Sequence, residues 1–597
     1  MGQEKRTIER LWRDAVAAGR QTPAYLVQHG DHWHELSWAE ADERVVAYAN
    51  GLLSLGVRKG DAFSILASSR VEWALFDFAL GSIGAIAAPI YANSSAKDAG
   101  YIVDHSESIG ILCEDEAQRA KLEEVRGGIP RLQHVLTFAD LDDLAARGRV
   151  YAAEHPEALR EAREAIEEDD LFTYIYTSGT TGPPKGCMIS HRNYYAMVAV
   201  VDELPRFTGP DDTMLLYLPL AHNFGRLMHL SGAYVGYAIA FLPDPLQAAA
   251  ALPAVRPTVF PSVPRVYEKI YTAVVARFDE ATGARRRLID WALGVGKQVS
   301  ALERAGEPVP RSLAAQYRLA DKLVYGKVKE RLGGRLRLAI SGGAPLSAEI
   351  AEFFHAIDIL LIEGYGLTEC TTAASTNTHE AYRFGTVGRP LPGTEVKLAE
   401  DGELLLRSET VFQGYFKDPE ATAEVLDDDG WLRTGDIAEI DEDGFITITD
   451  RKKDIIVTAG GKNVAPQNLE NDLKTSKYIS QALVVGDRQP YVAALITLDP
   501  EELPKWAAER GLEGGIDELA RTEEVRELIQ GVVDEVNADR SRYEQIKRFV
   551  VLPRDFTMED DELTPTLKLK RRVVREHFGA ELDELYAGDT LNQAAGI

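Results

Sequence analysis

A chain of 597 residues is too long for a single hydrophobic core, and 45% hydrophobic with 27% charged residues excludes a disordered chain. The formal net charge of −28 argues against a broad nucleic-acid or anionic-membrane surface, because a field of that sign repels polyanions, so small molecules or neutral surfaces are the expected partners. Cys113, Cys187 and Cys370 lie far apart, without zinc-site spacing or the density of a secreted disulfide scaffold, which points to a reducing cytoplasm.

In chain order, "MGQEKRTIERLWRDAV" has no apolar signal core, and Arg6 stands where myristoylation favours Ser or Thr. His29, His32 and His34 suggest a metal cluster, but the strand-like flanks of Gly30-Asp31 favour a hairpin. Up to about residue 390, apolar strand-like runs alternate with amphipathic ones, as in "DAFSILAS" followed by "VEWALFDFALGSIGA". That rhythm predicts an α/β domain of doubly wound, buried parallel strands. The runs 74–91 and 227–242 carry Asp77, His229 and several glycines, so they are expected in the core and not across a membrane. Residues 288–334 read as surface helices interrupted by "AGEPVP".

Between 395 and 450, Asp-Gly pairs at 401, 429 and 443 punctuate short alternating runs, predicting an antiparallel hairpin lobe. From 451 to 597 the pattern fits a small α+β domain, giving a large domain over 1–450 and a charged linker, "DRKKD", at 450–454.

The stretch "YTSGTTGPPKG" at 176–186 joins hydroxyls, glycines and a lysine in one loop. It follows a predicted strand, "LFTYIYT", and precedes a predicted helix that Ser190 would cap, so backbone N–H groups and a helix N-terminus are expected around an anion. It is not a Walker A loop: Pro184 replaces the second glycine and Gly186 follows Lys185.

This loop resembles the phosphate-binding signature of the AMP-forming, adenylate-forming ligases. Five further stretches resemble that family in its order: "SGGAPLS" at 341–347, "EGYGLTE" at 363–369, "GWLRTGD" at 430–436, "DRKKDIIVTAGGKNVAPQNLE" at 450–470 and "LTPTLKLKR" at 563–571. The resemblance implies that Thr177, Ser178, Gly179, Thr180, Thr181, Gly182 and Lys185 hold the phosphates of ATP. It places adenine against Gly342, Gly343 and Ala344, and assigns base stacking and phosphate contact to Glu363, Gly364, Tyr365, Gly366 and Thr368. Glu369 is implied as the magnesium ligand, a hard oxygen donor of the type that metal takes beside nucleotide phosphates. Asp436 and Arg451 are implied at the ribose, Lys453 at a hinge pivot, and Gly460 and Gly461 on the face offered to coenzyme A. Lys568 matches the catalytic lysine, with Lys185, Thr368 and Glu369 also taking part. Leu567 stands where the family has glycine, which leaves Lys570 as a weaker candidate.

The implied reaction joins a carboxylic acid to AMP with release of pyrophosphate, then passes the acyl group to the thiol of coenzyme A. "YLPLAHNFGR" at 217–226 and "VFPSVPRVYEKIY" at 259–271 resemble long-chain fatty acyl-CoA synthetases, with His222 and Phe224 at the acyl pocket. One alternative is an acyl-AMP ligase that loads a carrier-protein phosphopantetheine; a more distant one is a non-catalytic nucleotide-binding regulator. The resemblance implies a cytoplasmic enzyme using ATP, magnesium, coenzyme A and a fatty acid, with no nucleic-acid partner and no membrane anchor, and leaves room for peripheral membrane contact and a homodimer.

Overall fold

The computed structural model describes residues 5–30, 32–177, 183–538, 540–564 and 567–587. Two sheets organise the large domain. The first runs His134–Thr137, Gly110–Cys113, Ala62–Leu66, Ile86–Ile90, Leu171–Thr177 and Lys185–Ser190, parallel except for its last pair. Ala62–Leu66 and Ile86–Ile90 are buried at every position, as expected of parallel strands covered on both faces. The second sheet has nine strands, in which Leu360–Tyr365, Leu338–Gly342, Val259–Ser262, Thr213–Leu216, Ala238–Phe241 and Tyr25–His29 lie parallel in that order. Antiparallel edge strands close it, one of them being His32–Leu36, so the histidine-bearing segment is a hairpin with His29 opposite His32.

Both apolar runs lie in the core. The first supplies the helix Val71–Ser82, buried on nearly every side, and the strand Ile86–Ile90; the second supplies the helix Asn223–Val235 and the strand Ala238–Phe241. Among the described residues no helix is long and apolar enough to cross a membrane.

The lobe expected from the Asp-Gly turns is a four-stranded antiparallel sheet, Glu395–Leu398, Glu403–Arg407, Leu432–Ile440 and Ile446–Arg451. The turn at Asp429-Gly430 follows a short helix, Pro419–Val425, and reverses the chain through the antiparallel bridge Leu426–Leu432. Beyond it, Ile479–Val485, Val492–Leu498 and Ile546–Val551 form a three-stranded sheet with apolar cores of its own, separate from that of residues 8–446. The C-terminal part touches the large domain through the helix Pro264–Asp279: Arg265 donates to Ser480 Oγ at 2.8 Å, Glu268 pairs with Lys474 at 3.6 Å, and Asp279 with Lys477 at 3.4 Å.

One expectation is corrected. The stretch 176–186 does not lead from a strand into a helix; it connects two antiparallel strands, with Thr177 opposite Lys185. "KGCMIS" is largely buried and pairs along the preceding strand, so Ser190 caps its helix, His191–Ala199, one strand further on. The helix N-terminus therefore does not flank the loop.

Candidate active site

A cleft of about 2060 Å³ opens where the second sheet, the antiparallel lobe and the C-terminal domain meet. Thr177, Lys185, His222, Phe224, Gly342, Gly343, Gly364, Tyr365, Gly366, Thr368, Glu369, Asp436, Arg451, Lys453 and Lys568 all line it. Ser178, Gly179, Thr180, Thr181 and Gly182 lie outside the described residues.

Parallel strands bring the glycine segments to one edge. Leu338–Gly342 and Leu360–Tyr365 pair so that Gly342 lies opposite Gly364. At Gly343 φ is +88°, a left-handed conformation that admits glycine without strain, and a Cβ there would sit 3.8 Å from Lys568 Cε. A Cβ at Gly366 would collide with the Thr372 carbonyl, so the chain can turn into the Thr368–Cys370 helical turn only without a side chain at 366. Ala344 is exposed in the following turn and does not line the cleft. Glu363 does not line it either: it is 7% exposed and accepts the Leu346 N–H at 2.9 Å, holding the glycine turn from beneath. Burial pushes its carboxyl up to about 8.

Asp436 and Arg451 are cross-strand partners in the lobe, with Nε–Oδ1 at 3.5 Å, and Tyr365 donates its hydroxyl to Asp436 Oδ2 at 2.5 Å. Enclosure raises the Asp436 carboxyl above its ordinary value, although Arg451 and the Tyr365 hydroxyl oppose the shift. A carboxylate fixed beside a tyrosine ring suits a group carrying both an aromatic base and vicinal hydroxyls.

A second cluster surrounds Glu369. Tyr415 donates to Glu369 Oε1 at 2.6 Å, and Lys185 Nζ lies 5.1 Å from the centre of the same tyrosine ring and 3.6 Å from Asp418 Oδ2. Sequence reasoning missed Tyr415, because "FQGYFKDPE" shows no spacing that singles it out. It missed Asn223 as well, which accepts from the Tyr194 hydroxyl at 2.5 Å and donates to the Thr368 carbonyl at 3.4 Å.

Lys568 approaches from the C-terminal domain. The residue before it, Leu567, has φ +60°, the conformation that a glycine would adopt freely, so the departure from the family pattern preserves the turn and introduces backbone strain. Thr564 closes this turn by donating its N–H to the Lys568 carbonyl at 2.8 Å. Enclosure and the neighbouring Arg451 lower the Lys568 ammonium to about 8, with Asp436 pulling the other way. The Lys570 ammonium is instead paired with Asp561. His222, at the N-cap of Asn223–Val235, accepts the Phe224 N–H on Nδ1 at 3.1 Å and is held neutral, with a pKa lowered to about 3 by enclosure and by Lys568.

Part of the cleft is an apolar arm lined by Met197, Val201, Leu204 and Phe207 together with Leu227 and Met228, which follow Phe224 on its helix. The readable trace of this arm is "AMVAVVDEL", an apolar run continuing past the Ser190 cap. The helix Asn223–Val235 has a second face that is fully buried. There Arg226 donates to both oxygens of Asp77 and to Thr173 Oγ1, and its guanidinium lies 4.4 Å from the Phe172 ring centre. Gly460 and Gly461 are exposed between Ile456–Val457 and Asn463–Val464 and do not line the cleft.

Comparisons with known proteins give the family. The AMP-binding enzyme family matches residues 12–416, and the AMP-binding enzyme C-terminal domain matches 453–590. The chain belongs to the AMP-binding enzyme family. It is 38% identical over 586 residues to the long-chain-fatty-acid–CoA ligase FadD15 of Mycobacterium bovis, covering 95% of each chain. It is 31% identical to the long-chain-fatty-acid–CoA ligase 1 of Cavia porcellus, covering 98% of this chain and 87% of that one. Among solved structures, the adenylation domain of a carboxylate reductase from Mycobacterium chelonae shares the fold, with a TM-score of 0.75, 24% identity and coverage of 97% and 91%. For this family member, the α/β sheets, antiparallel lobe and C-terminal α+β domain follow the adenylate-forming ligase fold.

Proposed function

We propose that the protein converts a long-chain fatty acid to its acyl-CoA in two steps, through an acyl adenylate, with release of AMP and pyrophosphate. The reading is carried by the meeting of Lys185, Glu369, Asp436, Arg451 and Lys568 in a cleft that continues into an apolar arm. The curated relatives named above, matched over nearly their whole length, are long-chain-fatty-acid–CoA ligases.

In this reading Tyr365 stacks on the adenine beside Gly342 and Gly343, and Asp436 and Arg451 receive the ribose. Lys185 and Thr368 hold phosphate oxygens, and Lys568 stabilises the charge that grows as the carboxylate attacks the α-phosphorus. His222, held neutral, closes the acid end of the arm, whose walls favour longer chains by about 0.8 kcal/mol per buried methylene. Among the described residues no three His, Cys, Asp or Glu side chains gather as a metal cage, and Glu369 lines the cleft with one carboxylate oxygen accepting from Tyr415. That donor set fits a magnesium arriving with ATP, bound by one carboxylate plus phosphates and water. Bound there, magnesium would neutralise charge on the transferring phosphate and the leaving pyrophosphate.

The second step asks the C-terminal domain to rotate about Lys453, withdrawing Lys568 and presenting Gly460 and Gly461 to coenzyme A. Their position outside the cleft suits that later role. Lys570, paired with Asp561, is the weaker candidate for the catalytic lysine. The proposed location is the cytoplasm, where the three buried free thiols would stay reduced.

The test is formation of AMP and thioester from ATP, magnesium and fatty acids of graded length, with and without coenzyme A. Thioester that requires coenzyme A and peaks at long chains is expected. Acyl adenylate that accumulates and is not consumed by coenzyme A would overturn the second step in favour of a carrier-protein acceptor.

A further inference from the structure

The two strands that meet at Thr177 and Lys185 are gripped from outside by the helix Ala96–His105. Ile102 and Val103 of this helix are buried in the apolar cluster against the first sheet. Tyr101 and His105, one turn apart and so on one side of the helix, reach the strand ends instead. Tyr101 donates its hydroxyl to the Pro184 carbonyl at 3.1 Å, and His105 Nδ1 shares a hydrogen bond with the Tyr176 hydroxyl at 2.9 Å. The Tyr101 and His105 rings stack, with centroids 5.3 Å and planes 23° apart, which ties the two bonds together.

These bonds bracket Lys185. Pro184 is the residue before it, and Tyr176 lies opposite Gly186, the residue after it. A Cβ at 186 would come within 3.1 Å of Tyr176 Cζ, so the tyrosine ring rests directly on that glycine. A further strut closes the frame: Phe416 donates its N–H to the Gly186 carbonyl at 2.8 Å, and Lys417 donates to the His105 carbonyl at 2.8 Å while pairing with Glu107 at 3.1 Å. Neither Tyr101 nor His105 lines the cleft, so their influence on a ligand there passes through the backbone they hold.

We infer that Tyr101 is a positioning residue for ATP: with His105 it fixes the backbone on both sides of Lys185 and thereby the place where the ammonium meets the phosphates. This rests on the proposed reaction, in which Lys185 holds phosphate oxygens. A lysine ammonium is a point charge on a flexible four-carbon stem, so the anchoring of its backbone decides how well the contact is placed.

The test is equilibrium binding of ATP and of adenosine, each with magnesium, to the full chain and to Tyr101→Phe, which keeps the ring and loses the donor. ATP affinity should fall roughly three- to tenfold, the effect of one lost hydrogen bond, with adenosine affinity unchanged because adenosine carries no phosphate. KM for ATP should rise by the same factor and KM for the fatty acid should not move. His105→Phe, which keeps a stacking ring but not the bond to Tyr176, should act in the same direction. In a Lys185→Ala background the effect of Tyr101→Phe should shrink to less than about twofold, since the group it positions is gone. Should Tyr101→Phe fail to fold, His105→Phe in the two backgrounds decides. Unchanged ATP binding, equal loss of ATP and adenosine binding, or an undiminished effect in the Lys185→Ala background would overturn the inference and leave the proposed reaction standing. A parent that binds no ATP would overturn both.

Discussion

Lys568 sits close to Arg451 within the cleft, and its lowered pKa of about 8 has a direct kinetic consequence. Only the cation can stabilise a phosphate transition state, so adenylate formation by free enzyme at limiting ATP should fall as pH rises through about 8. Lys568→Arg keeps its charge throughout and should flatten that limb while lowering the rate. Lys568→Ala should slow adenylate formation by about 10²-fold or more and spare thioester formation from supplied acyl adenylate, measured as separate half-reactions. The same loss in Lys570→Ala alone would reverse the assignment. That Lys568 lines the cleft was legible because a local signature surrounds it, even with Leu567 in place of glycine. Tyr415 was not: its bond to Glu369 joins residues 46 apart, and such a contact is set by packing of the lobe, not by local spacing.

At the scale of elements, the helix Asn223–Val235 depends on one buried ion pair. Asp77 and Arg226 are both fully buried, and burial pushes the Asp77 carboxyl up against the pull of the guanidinium. Asp77→Ala would strand the arginine and should cost about 3–5 kcal/mol, read as a lowered urea midpoint. Asp77→Leu combined with Arg226→Met should recover much of the loss, since no uncompensated charge remains. The apolar run around Asp77 could be recognised as core from its hydropathy, but its partner lies 149 residues away and no pattern announces it. The strand Lys185–Ser190 escaped for a related reason: a capping serine marks where a helix starts but does not reveal what precedes it, and six residues sufficed for another strand.

For the whole molecule, the order of α/β region, hairpin lobe and small α+β domain could be read from changes in periodicity. How the last domain rests on the first could not, because Arg265–Ser480, Glu268–Lys474 and Asp279–Lys477 are single contacts between distant segments. On the proposed rotation these contacts belong to the adenylating arrangement and break before thioester formation. Lys474→Glu would set two carboxylates against each other and should slow adenylate formation roughly tenfold, with thioester formation from supplied adenylate unchanged or faster. Rapid-quench measurement of each half-reaction checks this, and equal slowing of both would count against a state-specific contact.

The two faces of Asn223–Val235 divide its tolerance to change. Leu227, Met228 and Ser231 border the cleft, while Arg226 and His229 are fully buried away from it. A substitution on the first side therefore changes the surface of the cleft and leaves the core alone, while one on the second disturbs the packing that holds the helix in place. What the cleft admits and what keeps the helix in place are set on opposite sides of the same thirteen residues.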